Sequence, residues 1–309
     1  MINFTNNQPI IIGIDHGYGN CKTRNCCFKS GVASYDKEPT FKENMLVYNG
    51  KYYLIGEEHK EFASDKDVDM DYYILTLDAI ARELNIRHLT SAKIHIAAGL
   101  PLSWVREQKD NFKAYLMQNE TVDFVFKNTS YHIEITGVDI FPQGFSAVAD
   151  RLREFKGVNM LADIGNGTMN IMYINEKRPV SSKCFTEKYG VFQCMLKVRN
   201  RLLQLGASVD DTFIEKVIRT GTADIDENYL NAIKETATEY VNDIFRKLRE
   251  HEYNDKLMRL YVVGGGGCLI KHFGEYNSGK VFINNNICAT AQGYEFLAKA
   301  RLDKKGGVV

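Results

Sequence analysis

GIDHGYGNCK, residues 13–22, decides the fold of this chain, because its glycines and charged residues fall at fixed spacings just after a buried strand. The run Ile10-Ile11-Ile12 predicts that strand, and the glycines at positions 17 and 19 predict a tight turn whose backbone amides can approach a ligand closely. Consecutive amides of this kind form an anion-binding concavity, and Lys22 can add a point charge to the same anion. Taken alone, the motif is more typical of an ordinary structural turn.

The same spacing recurs halfway along the chain. The stretch ADIGNGTMNIMYI, residues 162–174, repeats the D-x-G-x-G pattern, with Asp163, Gly165 and Gly167 in the places of Asp15, Gly17 and Gly19. Each copy follows an apolar strand and precedes a second strand. Self-similarity over half the chain predicts two related α/β lobes, and it makes phosphate binding the favoured interpretation of both turns.

A third glycine-rich element lies near the end of the chain. In LYVVGGGGCLI, residues 260–270, a β-branched strand runs into four glycines. Glycine weakens a strand, so strand propensity does not explain these residues. They permit the close approach of a flat or bulky group, such as an adenine ring or its ribose, and Gly264, Gly265 and Gly266 are the candidates for that contact.

The composition sets limits on the class of protein. The 309 residues are 44% hydrophobic and 25% charged, which predicts a globular chain of two domains or lobes. Lys plus Arg and Asp plus Glu number 39 each, so the net charge gives no sign of a nucleic-acid or membrane binder.

The N-terminus lacks the pattern of a signal peptide and no apolar run approaches a membrane span, which predicts a cytoplasmic protein. The seven cysteines are scattered and lack a C-x-x-C pair, as expected of reduced thiols.

Five features in the same order resemble the nucleotide-binding fingerprint of the superfamily of actin, the sugar kinases and the heat-shock chaperones. They are the two hairpins, a loop-helix connector at residues 141–147, the strand with glycines at 262–267, and an alanine- and glycine-containing helix from residue 289. Within that superfamily the chain resembles the ParM/StbA family of bacterial actin-like proteins. The resemblance implies an actin-like α/β fold of two related lobes with a nucleotide cleft between them. The lobes would be residues 1–148, onto which the helix 289–309 packs back, and residues 149–288.

The resemblance also implies roles for individual residues. The first hairpin would bind the nucleotide through Asp15, Gly17, Tyr18, Gly19, Asn20 and Lys22, with Lys22 neutralising phosphate charge, and the second would surround the terminal phosphate with Gly165, Asn166, Gly167 and Thr168. Asp15 and Asp163 would face each other across the cleft and hold Mg²⁺ through its water shell, because Mg²⁺ gives up water reluctantly. Asp163 and Gln143 would be catalytic, with Gln143 positioning the attacking water.

Two positions depart from the family pattern. Gln143 stands where some relatives carry a carboxylate, and Asn170 stands where relatives often have aspartate. A glutamine is no strong base, but phosphoryl transfer depends more on orientation and charge neutralisation than on proton abstraction. A loop-capping amide is the alternative interpretation of Gln143.

The function that the resemblance implies is ATP or GTP hydrolysis, with ADP or GDP as product, coupled to head-to-tail assembly of dynamic filaments that segregate plasmid DNA. It implies a DNA-bound adaptor protein of ParR type as a partner. Direct sequence-specific DNA binding is not expected, because the chain has neither a helix-turn-helix pattern nor a basic-aromatic stripe. The alternative is a small-molecule kinase of the sugar or acetate type. The sequence offers that alternative neither an evident general-base carboxylate nor a cysteine-rich zinc motif.

Overall fold

The structure is a computed structural model that describes residues 8–57 and 70–306. It divides into two compact units, Met1–Asp150 with Cys288–Val309 (unit 1) and Arg151–Ile287 (unit 2). A 3₁₀ segment, Phe145–Glu154, contains the boundary between them. In the described part of the chain, no helix is both long enough and apolar enough to span a bilayer.

The described residues of unit 1 form one mixed sheet with three helices. The sheet has the strand order β3-β2-β1-β7-β9-β8-β5-β6-β4. The strands are β1 (Ile10–His16), β2 (Asn20–Lys22), β3 (Cys27–Lys29), β4 (Val32–Tyr35), β5 (Met45–Tyr48), β6 (Lys51–Ile55), β7 (Ser91–Leu100), β8 (Thr121–Phe126) and β9 (Thr129–Pro142). The helices are α1 (Asp71–Ile86), α2 (Leu102–Leu116) and α7 (Ala289–Gly306).

The centre of this sheet is parallel and buried on both faces. β1 pairs in parallel with β7, and β7 pairs in parallel with β9. Ile12, Ile14 and the alternate residues of β7 pack into a core with α1 and α2, whereas Ala97 and Phe141 pack against Tyr294 of α7 on the opposite face. Strands buried on both faces are rich in aliphatic residues, which explains the continuous apolar run at residues 10–14.

Helix α1 carries a buried carboxylate, Asp78, in the core of unit 1. Its Oδ2 accepts a hydrogen bond from Arg82 Nε at 2.8 Å, while its Oδ1 has no hydrogen-bond partner. Burial raises the pKa of Asp78 to about 6, although the charges of Arg82 and Lys127 pull that pKa down. The ionised carboxylate is therefore poorly accommodated in the folded chain.

We expect Asp78→Asn to stabilise the protein above pH 7 by about 2–3 kcal/mol. The folded pKa of Asp78 lies above its unfolded value, so its contribution to stability is complete below pH ~4 and is lost as the pH rises through about 6. Urea unfolding of both proteins from pH 4.5 to 8 measures this difference. Asp36→Asn, whose side chain is 88% exposed, is the matched control. A difference that stayed constant over the pH range would contradict the prediction.

The described residues of unit 2 form a smaller sheet with helices. Its strand order is β12-β11-β10-β13-β14. The strands are β10 (Val158–Ile164), β11 (Met169–Asn175), β12 (Arg178–Glu187), β13 (Arg259–Val263) and β14 (Val281–Ile283). The helices are α3 (Val191–Gln204), α4 (Asp211–Thr220), α5 (Glu227–Glu250) and α6 (Gly267–Phe273). The apolar faces of these helices and of β10 and β13 make one core.

The two units repeat one topology, which confirms the prediction of two related α/β halves. In unit 1, β1 pairs antiparallel with β2, and β2 pairs antiparallel with β3. On the other side of β1, β7 and then β9 continue the sheet in parallel. In unit 2, β10 pairs antiparallel with β11, and β11 pairs antiparallel with β12. On the other side of β10, β13 and then β14 continue the sheet in parallel. The strands β4, β5, β6 and β8 are additions to unit 1. The sequence also predicts one strand at residues 21–28, after the first hairpin; this is wrong, because β2 ends at Lys22 and β3 begins at Cys27, with a turn between them.

Candidate functional site

The first hairpin is a tight turn between β1 and β2, at the carboxyl end of a central strand of unit 1. Asp15 is opposite Lys22 in the antiparallel register. The amide of Gly17 donates to the carbonyl of Asp15 at 3.0 Å, and the hydroxyl of Ser30 donates to the carbonyl of Gly17 at 2.6 Å. A Cβ at Gly17 would lie 2.7 Å from the carbonyl oxygen of Asn20, so the turn requires glycine at this position.

Three of the predicted site residues form one cluster in unit 1. The side chain of Asp15, 11% exposed, accepts from Lys22 Nζ at 3.2 Å on Oδ2 and from Gln143 Nε2 at 3.3 Å on Oδ1. Gln143 follows β9, and its backbone amide donates to the carbonyl of Leu100 at 2.8 Å. The carboxyl ends of parallel strands meet at one edge of a sheet, which brings Gln143 to Asp15 although 128 positions separate them.

Two buried carboxylates hold the turn that follows Lys22. Glu83 of α1 accepts hydrogen bonds from the Thr23 hydroxyl, from the backbone and side-chain amides of Asn25, and from Arg87. Burial acts to raise the pKa of Glu83, but these hydrogen bonds outweigh it and lower the pKa. On α7, Glu295 accepts from Arg24 Nε at 2.6 Å and from the amide of Gly13 at 3.2 Å. The position of Lys22 is thus fixed from both helices.

The other residues of the first hairpin lie at its tip. Tyr18 and Gly19 are partly buried, and Asn20 is exposed. Burial raises the pKa of the Tyr18 hydroxyl, which therefore stays protonated at neutral pH and can donate a hydrogen bond.

The second hairpin joins β10 to β11 in unit 2. Asp163 is opposite Asn170 in the register, and the amide of Gly165 donates to the carbonyl of Thr168 at 2.8 Å. Asn170 is buried and its Oδ1 accepts from the Thr186 hydroxyl at 2.8 Å. The position where relatives often have aspartate is therefore occupied by an amide bonded to the neighbouring strand. Asp163 itself is partly buried.

The start of α3 supports the second hairpin from outside. The amides of Val191 and Phe192 donate to the carbonyls of Gly165 and Asn166 at 3.1 and 2.9 Å. A Cβ at Gly190 would overlap the Asn166 carbonyl oxygen and lie 2.5 Å from its carbon. The carbonyl of Gly190 in turn accepts from the Tyr240 hydroxyl at 2.8 Å. Gly190 lies outside both hairpin motifs, and its signal in the sequence is a glycine just before an amphipathic helix, in KYGVFQ.

The three glycines at positions 264–266, just after β13, differ in how closely other atoms approach them. Gly264 has φ +85°, and a Cβ there would lie 2.6 Å from Asp163 Oδ1. Gly266 is packed against Ile164, whose carbonyl accepts from the Gly266 amide at 2.8 Å. A Cβ at Gly265 would have open space around it. Gly264 and Gly266 are thus explained by packing on β10, and Gly265 is the one with room for a ligand's approach.

The structure provides no direct cage for a metal ion within residues 8–57 and 70–306, where no group of three or more His, Cys, Asp or Glu side chains could hold one. The donor set nevertheless suits a hydrated cation. Each oxygen of Asp15 accepts one hydrogen bond from a side chain, and a carboxylate oxygen has capacity for a second from a metal-bound water.

Two family models match the chain, one in each half. Residues 13–145 match the family described as actin like proteins, N-terminal domain. Residues 161–275 match the family described as archaeal actin homologue MreB-like, C-terminal. No curated protein matches the sequence.

Solved structures with the same fold cover nearly the whole chain. The archaeal actin homologue Ta0583, also solved in complex with ADP, aligns with TM-score 0.76 at 19% identity over 94% of this chain and 99% of its own. ParM of Bacillus thuringiensis, solved with ATP, aligns with TM-score 0.72 at 13% identity over 95% and 99% of the two chains. The Alp12 filament structure aligns with TM-score 0.68 at 19% identity over 94% and 98%. These similarities show an actin-like fold.

Proposed function

We propose that this chain, which belongs to the actin-like proteins, hydrolyses ATP or GTP and assembles into dynamic filaments in response to the bound nucleotide. The observation that carries the proposal is the repeated hairpin. In each unit, the same D-x-G-x-G turn ends a central strand, and its aspartate lies at the carboxyl end of that strand. Ligands of open α/β sheets bind at such ends.

The hairpins would contribute phosphate contacts in two ways. The amides of Gly17 and Gly165 bond within their own turns, so the backbone donors to phosphate oxygens would come from residues 19, 166 and 167, together with the side chains of Asn20 and Thr168. Lys22 adds the positive charge, and its bond to Asp15 holds the ammonium at the hairpin. Gly265 has open space for the base or ribose.

A magnesium ion fits the chemistry of these residues. Asp15 and Asp163 would hold it through its bound waters, and it would supply neutralisation of charge on the phosphate oxygens. Gln143 donates through Nε2 to Asp15, which orients its amide and leaves Oε1 as an acceptor for the attacking water. Gln143 acts in this scheme by positioning, which phosphoryl transfer requires more than strong basicity.

The filament would be built from head-to-tail contacts, which do not close into a ring. The Alp12 relative is a filament, and ParM and Ta0583 are nucleotide-bound in their structures. We infer a role in plasmid DNA segregation in the cytoplasm, with a DNA-bound adaptor of ParR type that docks at a filament end.

Light scattering after addition of ATP and Mg²⁺, recorded with phosphate release, tests the proposal. Scattering that rises and later falls as phosphate appears is the expected result for a dynamic filament. Phosphate transfer that occurs only with a sugar or acetate present, without scattering, would instead identify a small-molecule kinase. The same assay with GTP decides between the two nucleotides.

We expect Lys22→Gln to weaken nucleotide binding by about 10- to 100-fold, because a charge-assisted hydrogen bond to phosphate contributes about 1.5–3 kcal/mol. The amide can still donate to Asp15, so the fold should be retained. Titration calorimetry with ATP and with ADP measures the change. Lys51→Gln, on an exposed lysine of unit 1, is the control. Equal affinity of Lys22→Gln and wild type would remove Lys22 from the site.

The adaptor hypothesis predicts that this chain alone does not retain DNA selectively. Its equal numbers of acidic and basic residues give little phosphate neutralisation. A gel-shift series with a labelled plasmid fragment and a scrambled fragment at physiological salt is the measurement. Tight retention of one fragment over the other would show that the chain reads DNA itself.

A further inference from the structure

A row of three polar side chains crosses the edge of the unit 1 sheet beside the first hairpin. Asp15 on β1 is opposite Lys22 on β2, and Lys22 is opposite Cys27 on β3. Residues directly opposite one another in antiparallel strands point to the same face of a sheet, with Cβ atoms about 5 Å apart. The Cys27 thiol is therefore the immediate neighbour of the proposed phosphate-binding lysine.

The row lies on the face of the sheet that α7 covers. Ile14 and Cys21, which alternate with the row, pack into the core with α1, so Asp15, Lys22 and Cys27 point the other way. Cys26 points toward α1. Its thiol is hydrogen-bonded to Thr23, and burial raises its pKa while the Glu83 charge raises it further.

Cys288 completes this arrangement from the residue just before α7. Its thiol donates a weak hydrogen bond to the carbonyl oxygen of Cys26 at 3.8 Å, in the peptide group that leads into Cys27. Burial raises the pKa of the Cys288 thiol. Cys27, Lys22, Cys26 and Asp15 are all close enough to alter that pKa by their charge. Cys27 is exposed and Cys288 is partly buried, so a small oxidant can reach the pair.

We propose that Cys27 and Cys288 form a reversible disulfide on oxidation by a peroxide, and that this bond weakens nucleotide binding at the first hairpin. The second part rests on the proposed function. In the first step, the Cys27 thiolate attacks one peroxide oxygen, the O–O bond breaks, and sulfenic acid and water form. In the second, the Cys288 thiolate attacks the sulfenic sulfur and a second water leaves. Two thiols are oxidised by two electrons, and hydrogen peroxide is reduced to two waters.

The effect on the site follows from the register. A bond from Cys27 to the start of α7 draws β3 toward that helix, and β3 is hydrogen-bonded to β2 at Lys22. The same bond ties residue 288 to the face on which Lys22 and Asp15 lie. This displacement moves the Lys22 ammonium from its place beside Asp15, so oxidation should reduce nucleotide affinity without unfolding unit 1.

The test uses the full chain, treated with hydrogen peroxide or kept in dithiothreitol, in two independent measurements. Peptide mapping without reductant is expected to show residues 27 and 288 linked with the loss of two hydrogens. Titration with ATP is expected to show affinity about tenfold lower after oxidation, restored by dithiothreitol. Cys27→Ser and Cys288→Ser should each abolish both effects. Cys26→Ser, the neighbouring cysteine on the opposite face, should abolish neither.

The outcomes separate the inference from the function on which it rests. Oxidation of Cys27 to sulfinic acid without a link to Cys288, or a link through Cys26 instead, would overturn the pairing. A correct link with unchanged ATP affinity would overturn the regulatory role. Reduced protein that binds neither ATP nor GTP would overturn the proposed function, while the peptide map still decides on the disulfide.

Discussion

Asp163→Asn is expected to slow nucleotide hydrolysis by about two to three orders of magnitude while filaments still assemble. A carboxylate that organises a hydrated cation acts on the charge that develops in the transition state, and the neutral amide loses that attraction. In the proposed function, assembly depends on bound triphosphate and not on its hydrolysis, so the filaments of the variant should persist. Single-turnover phosphate release and light scattering, recorded on the same sample, give the two quantities.

The choice of asparagine follows from the packing around Asp163. Gly264 approaches Asp163 Oδ1 closely, so a side chain of the same shape keeps the turn after β13 in place. Asp255→Asn, an exposed aspartate of unit 2, is the matched control and should hydrolyse at the wild-type rate. Normal hydrolysis by Asp163→Asn would exclude Asp163 from catalysis. Loss of assembly together with hydrolysis would show that the residue serves nucleotide binding instead.

The hairpins and most elements could be predicted from sequence because their signals are local. An apolar run followed by D-x-G-x-G predicts a buried strand and a tight turn, and the structure has both at β1–β2 and β10–β11. Asn49-Gly50 predicts the turn between β5 and β6, where both residues have positive φ. The repeat then gave the number of units, because the same signals occur once in each half.

The supporting contacts could not be predicted because they join residues far apart in the chain. Glu83 holds the turn at residues 23–26 across 60 positions, and Glu295 reaches Gly13 across 282. A glutamate on a helix is typical of an exposed face, and nothing local distinguishes these two. The edge strand β12 could not be predicted either, because residues 178–187 are largely polar and only their pairing with β11 makes them a strand.

Glycines illustrate the same limit, since a sequence shows a glycine but not what surrounds it. The sequence predicts close approach of a ligand at both Gly167, by the terminal phosphate, and Gly264, by the base or ribose. The structure shows open space at Gly167, whereas Gly264 packs against Asp163. Gly190, which lies outside both motifs, packs on the second hairpin. Its φ of −91° and ψ of −179° suit any residue, so its requirement for glycine is purely steric.

We therefore expect Gly190→Ala to lower the melting temperature by about 6–12 °C, which corresponds to about 3 kcal/mol of overpacking. The added Cβ meets backbone atoms of Asn166 and Gly167, which belong to a turn held by α3 and have no side-chain freedom to yield. Circular dichroism without nucleotide measures the loss.

Gly167→Ala is the matched variant: its Cβ meets no protein atom within 4 Å, so its melting temperature should stay within about 2 °C of wild type. Its nucleotide affinity should nevertheless fall about tenfold, because in the proposed site the methyl group would occupy the space through which a phosphate approaches the hairpin. Wild-type melting of Gly190→Ala would contradict the steric argument, and wild-type affinity of Gly167→Ala would contradict phosphate binding at the second hairpin.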